Sequence, residues 1–336
     1  MITRRSIVIA LGAGAFAPLT SLAPRAGFAQ QQPAKIARIG FLGPTTAGGI
    51  ASRLEGFRAG LRDLGYVAGR NISIHYRWAE GDYGRLPGLA AELVQLKVDV
   101  IVVAGTPGIR AAKQATTTIP IVIASTGDAV ANGLVASLAR PGGNITGSSW
   151  FGPEIGAKRT ELIKEAVPRV TQVAYFYNLD NFGGTGYGPT FHAMQIAAKA
   201  LKIELQPFGV RGPGDFSSAF TAMAKKRVDV VQINDDSMII AHTKTIADLA
   251  AKQRLLSVGP VEFAEAGGLI GYGVNFPELF RRAAYFVDRI LKGAKPSDLP
   301  VEQPTKFEFV VNMKTAKAFG LKIPGSILVR ATKVIE

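Results

Sequence analysis

Cysteine is missing from all 336 residues. That excludes a disulfide-stapled scaffold, thiolate metal ligands, a cysteine nucleophile and a lipid-bearing amino-terminal cysteine. Histidine is scarce as well. His75, His192 and His242 stand far apart and form no H-E-x-x-H, so a zinc site would have to recruit carboxylates from elsewhere. Each histidine reads as a surface or packing residue. No G-x-x-x-x-G-K-[ST] phosphate loop and no G-x-S-x-G nucleophile elbow occur. Long hydrophobic runs are absent beyond the amino terminus. Runs such as 98–104 are strand-sized, well short of the ~20 residues that span a bilayer.

Negative charge is in short supply. There are 25 Asp and Glu against 39 Lys and Arg, a net charge of +14. Such an imbalance raises nucleic acid or a membrane surface as partners. The bases are dispersed, however. The densest clusters after the leader are Lys225-Lys226-Arg227, at a helix end where cations suit the dipole, and Arg281-Arg282, on the polar face of an amphipathic helix. Neither interleaves with aromatics as a nucleic-acid platform does. No nucleic-acid partner is expected.

What is present begins with an export signal. Arg4 and Arg5 form a charged start, 6–17 an apolar core, and Gly27-Phe28-Ala29 a small-residue cleavage site. Thr3-Arg4-Arg5-Ser6-Ile7-Val8 resembles a twin-arginine signal, although paired arginines also occur in ordinary secretory signals. Cleavage after Ala29 removes three arginines and no acid, lowering the charge to +11. The chain that remains is expected in the periplasm.

Hydrophobic residues at 47% and charged residues at 19% fit a globular protein. After a polar leader at 30–35, strands and helices alternate. Strands are read at 36–42, 71–78, 98–103, 119–124 and 144–147, with helices at 50–64, 86–96, 108–116 and 132–139. The rhythm restarts after 144–147, within a boundary block from Pro141-Gly142-Gly143 to Gly152-Pro153. Helices then fall at 153–167, 189–201, 216–226, 237–254, 277–292 and 313–319. Strands fall at 172–177, 203–208, 228–233, 256–258, 269–273 and 306–311. This alternation implies βαβ units and parallel sheets, with about five strands before residue 148 and about five after it. At roughly 100–200 residues per domain, two similar half-domains fit better than one sheet of ten.

Ligands of such sheets bind at the carboxyl ends of strands. The loops there carry Thr45 and Thr46; Gly105, Thr106 and Pro107; Ser125 and Asp128; Asn178; Asn234 and Asp235; and Tyr272 and Asn275. Each residue taken alone is as well explained as a helix cap or turn. Their recurrence at successive strand ends favours a polar cleft. A carboxylate such as Asp128 or Asp235 suits an ammonium group, and threonine hydroxyls with helix N–H groups suit a carboxylate. Trp150, Phe151, Tyr177 and Tyr187 offer stacking surfaces at the crossover or cleft edge, or pack in the hinge. The run Gly183 to Gly188 lacks the G-x-G-x-x-G spacing and reads as a flexible cleft loop.

Several long stretches carry a family resemblance. They are Gly56-Phe57-Arg58-Ala59-Gly60-Leu61-Arg62-Asp63-Leu64-Gly65-Tyr66, Ile119-Pro120-Ile121-Val122, the run from Gly133 through Ala139-Arg140-Pro141-Gly142-Gly143-Asn144 to Gly147, and Leu299 to Glu308 continuing through Asn312 and Lys314 to Gly320. By these, the chain resembles the periplasmic ABC-transporter substrate-binding proteins that include tryptophan- and tyrosine-binding members. The family pattern often has Asp-Pro and Ala-Thr-Pro where this chain has Asp128-Ala129 and Gly105-Thr106-Pro107. The resemblance implies a type I binding-protein fold: two doubly wound α/β parallel-sheet lobes joined by a three-crossover hinge. It assigns 36–147 plus 274–297 to an N-terminal lobe and 150–271 plus 306–328 to a C-terminal lobe. It also implies a non-catalytic, monomeric receptor for an aromatic amino acid or related acid, without a cofactor or metal. The receptor would serve an ABC permease and its ATPase. Rival readings are a ligand-sensing module for a membrane receptor, and an exported enzyme with Asp128, Asp235 or Asp236 as acid–base groups.

Overall fold

A computed structural model of the chain describes residues 36–182 and 188–336. The export signal, its leader and positions 183–187 of the glycine-rich run lie outside the described residues. The expected α/β class is observed, as two sheets built on one plan.

The first sheet contains β1 (Ala37–Gly43), β2 (Ile72–Trp78), β3 (Val100–Ala104), β4 (Ile121–Thr126) and β5 (Ile145–Ser149), all parallel, in the order β2-β1-β3-β4-β5. Strands β3, β4 and β5 are buried along their whole length. Burial on both faces explains the continuous apolar runs of β3 and β4. Helix α1 (Ala51–Asp63) turns Leu54, Phe57 and Leu61 inward, α2 (Leu86–Gln95) does the same with Leu86, Ala90 and Leu93, and α3 (Thr106–Ala115) with Ile109 and Ala112.

The second sheet repeats this winding and extends it. Its strands are β6 (Gln172–Asn178), β7 (Glu204–Val210), β8 (Val230–Ile233), β9 (Leu256–Gly259), β10 (Ile270–Gly273), β11 (Glu308–Asn312) and β12 (Lys333–Ile335). The order is β12-β11-β10-β9-β8-β6-β7, parallel except for β10 against β11. Its helices are α4 (Gly152–Ala166), α5 (Pro189–Ala200), α6 (Phe216–Lys225), α7 (Ser237–Ile240), α8 (Thr243–Lys252), α9 (Val261–Glu265), α11 (Met313–Ala318) and α12 (Gly325–Arg330).

The chain passes between the sheets three times: at Trp150–Phe151, at Val274–Asn275 and through 299–307. After the second passage, α10 (Phe276–Leu291) packs against α1 and the first sheet, burying Phe280, Ala283, Ala284, Phe286, Val287 and Ile290. Gly56 and Gly60 permit the close crossing. A Cβ on Gly56 would lie 2.2 Å from the carbonyl oxygen of Pro277. The third passage is pinned where Ser149 N–H donates to the Glu302 carbonyl, Glu302 N–H to that of Gly147, and Thr146 Oγ1 to that of Leu299 at 2.7 Å.

Three sequence expectations change. Residues 132–139 form turns, not a helix. Gly133 has φ +67°, and Lys113 Nζ takes the carbonyls of Gly133 and Leu134 that a helix would use. The helix expected at 237–254 breaks between α7 and α8, where His242 takes φ −121°. The second sheet has seven strands rather than about five: the strand expected at 306–311 is β11, and β12 adds an unexpected strand beside it at the edge. Strand β12 is mostly exposed, so it carries no apolar alternation for a sequence reading to detect.

Candidate ligand cleft

The strand-end loops of both sheets meet at one cleft of about 710 Å³, its open mouth included. On the first-lobe side, β3 runs into Gly105, whose φ of +79° turns the chain sharply into α3. No side chain caps that helix. Its leading N–H groups and the positive end of its dipole are therefore available at the cleft wall. Thr106 and Thr126 share a hydroxyl hydrogen bond of 3.1 Å beside it. Ser125 is buried there as well. Asp128 accepts from the N–H groups of Val130 and Ala131, and Asn132 donates its amide to the Asp128 carbonyl.

The second-lobe wall is the loop after β8. Asn234 donates its amide to the buried Tyr175 hydroxyl. Asp235 receives a forked pair of bonds from Arg159 of α4, at 2.5 and 2.8 Å. Arg159 is 1% exposed and also donates Nε to the Tyr272 carbonyl at 2.7 Å. Asp236 caps α7, accepting from Met238 N–H at 2.9 Å and from the Asn178 amide at 3.2 Å. Burial raises its carboxyl above the usual carboxylate range, against the pull of these hydrogen bonds.

Aromatic surface comes from the crossovers. Trp150 and Phe276 meet edge to face with centroids 5.7 Å apart. The Arg53 guanidinium lies 3.9 Å over the Phe276 ring. Two contacts cross the cleft directly. Arg53 of the first lobe binds Glu262 of the second at 3.0 and 3.2 Å, and Tyr83 donates its hydroxyl to Asp236 at 2.9 Å.

Of the residues singled out in the sequence, the fold brings Thr106, Pro107, Ser125, Asp128, Trp150, Asn234 and Asp235 to this cleft. It places six elsewhere. Thr45 and Thr46 shape the turn at Gly48–Ile50, where the Thr46 hydroxyl accepts from Gly49 N–H. Tyr177 is buried, stacked on Tyr175 with centroids 5.4 Å apart. Asn178 lies behind the wall and supports Asp236. Tyr272 stacks on Phe307, so its carbonyl rather than its ring serves Arg159. Asn275 caps α10 and binds Glu308. Strand alternation and local capping direct these side chains away from the shared space.

Not singled out in the sequence were Arg53, Tyr83, Thr126, Asn132, Thr190, Ser237 and Phe276, all lining the cleft; Asp236, which the sequence raised only as an acid–base group, lines it too. Ser237 and Thr126 adjoin Asp236 and Ser125, so the strand-end loop signal covers them. Arg53 and Tyr83 reach the cleft from a helix and a turn outside the strand-end loops, and no periodicity marks them. His242 meets Phe216 edge to face, as a packing residue does, and burial lowers its pKa. Among the described residues, no group of three or more His, Asp or Glu is placed to hold a metal ion. No helix among them is long and apolar enough to cross a membrane.

Two doubly wound lobes, three crossovers and a polar cleft lined by strand-end loops define a two-lobed solute-binding protein of the type I periplasmic class. The chain belongs to the ABC transporter substrate binding protein family, whose model matches residues 39–335. A tyrosine-binding protein of Clostridioides difficile (strain R20291) is 27% identical over 270 residues, which is 80% of this chain and 76% of that protein. The crystal structure of an ABC domain from Streptococcus pneumoniae in complex with L-Trp superposes with a TM-score of 0.81 at 27% identity, covering 89% of this chain and 99% of that one. A conserved domain protein from Vibrio cholerae does so with a TM-score of 0.81 at 28% identity, covering 89% and 100%.

Proposed function

We propose that this protein binds an aromatic L-amino acid between its lobes and delivers it to an ABC importer. The carrying observation is how three kinds of surface converge on one cleft. The uncapped start of α3 with Thr106 and Thr126 suits a carboxylate. Asp235, oriented by Arg159, suits an ammonium group. Trp150 and Phe276 suit an aromatic side chain. A molecule that touches both walls favours the closed arrangement over the open one. The tryptophan complex and the tyrosine-binding relative support the same ligand class.

The remaining parts of the reading follow from the family. The protein works as a monomer without catalysis or a cofactor. It is exported by the signal at 1–29, through the twin-arginine or the general route, and meets a permease and its ATPase from the periplasm. Its lobes are 36–147 with 274–297, and 150–271 with 306–328, the second extended by β12 of the same sheet.

Calorimetry with L-tryptophan, L-tyrosine and L-phenylalanine, against L-leucine and benzoate, tests the ligand. Saturable binding of at least one aromatic amino acid, weakened about tenfold or more by Thr106→Val, is expected from loss of a charge-assisted hydrogen bond. Binding of none of the three overturns the ligand assignment.

A further inference from the structure

We infer that Tyr83 is a positioning residue that latches the two lobes and thereby sets how long a bound molecule is held. The inference rests on the cleft being the ligand site. Tyr83 opens the 3-10 turn Tyr83–Arg85, which Asp82 caps by accepting from Gly84 N–H at 2.9 Å. The turn leads straight into α2, so the first lobe fixes the ring. Its hydroxyl crosses to the second lobe, donating to Asp236 Oδ2 at 2.9 Å and accepting from Met238 N–H at 3.2 Å. The other oxygen of Asp236 is occupied within its own lobe by Asn178 and by Met238 N–H. The second lobe therefore presents a buried acceptor that a first-lobe phenol completes.

Both residues also line the ligand space. Contact with the bound molecule and contact between the lobes thus share the same pair of side chains. A carboxylate this deeply buried loses much when one donor is removed, because no solvent replaces it while the lobes stay together. Parting the lobes exposes both groups to water and relieves that loss. Removing the phenol hydroxyl should therefore act on opening, and so on dissociation. The second cross-lobe contact is of another kind. Arg53 binds one oxygen of Glu262, while the other oxygen is buried without a partner. Desolvation offsets the attraction in such a pair.

A third touching point allows an independent test. A Cβ on Gly49 of the first lobe would lie 2.7 Å from the Ala241 methyl of the second. Gly49 does not line the cleft. Gly49→Val therefore wedges the lobes without touching the bound molecule. The absence of native cysteine permits clean spin labelling at Ala91→Cys and Ser217→Cys, exposed sites on α2 and α6.

The experiment measures inter-label distances by pulsed electron resonance, with and without L-tryptophan. It also measures L-tryptophan dissociation by stopped flow. Tyr83→Phe and Gly49→Val should each reduce the short-distance population. Tyr83→Phe should speed dissociation by about ten- to thirty-fold with little change in the association rate, as expected when one buried hydrogen bond to a charged group is lost, and Gly49→Val should speed it too, by holding the lobes apart. Circular dichroism melts verify that both variants fold. Unchanged distances and dissociation in Tyr83→Phe overturn the latch, as does a wild-type protein with no short-distance population in either condition. Faster dissociation in Tyr83→Phe with unchanged distances makes Tyr83 a plain ligand contact and also overturns it. If L-tryptophan fails to bind, the ligand assignment falls and the distances alone decide the latch.

Discussion

Arg159 shows how a charge is held in a core. Its guanidinium is almost wholly enclosed, yet Asp235 neutralises it through two bonds and the Tyr272 carbonyl takes a third. Arg159→Ala would leave the Asp235 carboxylate buried without a cation, which costs about 3–5 kcal/mol. Urea unfolding should show that loss as a lower midpoint. Arg159→Lys keeps the charge without the fork and should lose less. Tyr66 makes a smaller, pH-dependent contribution. Its hydroxyl donates to Asp288 at 3.0 Å. Burial, then the Asp288 hydrogen bond and charge, push the phenol up to about 12 from 10.0. The raised value means the fold favours the protonated phenol. The contribution is fully present below pH 10 and is lost as pH rises through 12. The melting temperature of the wild type should therefore fall more steeply than that of Tyr66→Phe between those values.

Among the elements, the crossing of α1 and α10 ties the second passage of the chain to the first lobe. Gly56→Ala tests how tight that crossing is. Alanine improves intrinsic helix propensity by about 1 kcal/mol. Its methyl would meet the Pro277 backbone at 2.2 Å, and backbone cannot swing aside as a side chain can. Overpacking of this kind costs about 1–3 kcal/mol, so the net change should be a lower melting temperature in calorimetry. The inward face of α1 was legible from Leu54, Phe57 and Leu61 at helical spacing. The break between α7 and α8 was not, because it falls at His242, whose ring packs edge to face on Phe216, a contact made only in the folded chain. The seven cleft residues that were legible lie in strand-end loops or at the first crossover. Arg53 and Tyr83 were not, because the lobes meet them only after folding.

At the scale of the molecule, the winding order of the first sheet recurs in the second, and both strand-end faces look onto one cleft. If ligand closes that cleft, small-angle scattering should record a smaller radius of gyration on addition of L-tryptophan, and no change would argue against closure. The positive charge takes a dispersed form here too. Surface pairs such as Arg77 with Glu92, Arg281 with Asp63 and Lys333 with Glu265 are spread over both lobes. Isolated pairs of this kind contribute little stability.

The sequence by itself determined every strand but β12, the doubly wound lobes, the loops that could hold a ligand and the family, because periodicity, turn residues and long matching stretches are local properties of the chain. Tertiary structure decided which loop side chains share a space. Asn178 and Tyr177 are adjacent on β6, so alternation sets them on opposite faces, but the packed fold decides that one supports the wall and the other stacks inside the lobe. It also decided that Asp235 faces Arg159, 76 residues away, and that Tyr83 faces Asp236, 153 residues away. Such pairings depend on the register of the sheets and the approach of the lobes, which local spacing does not encode.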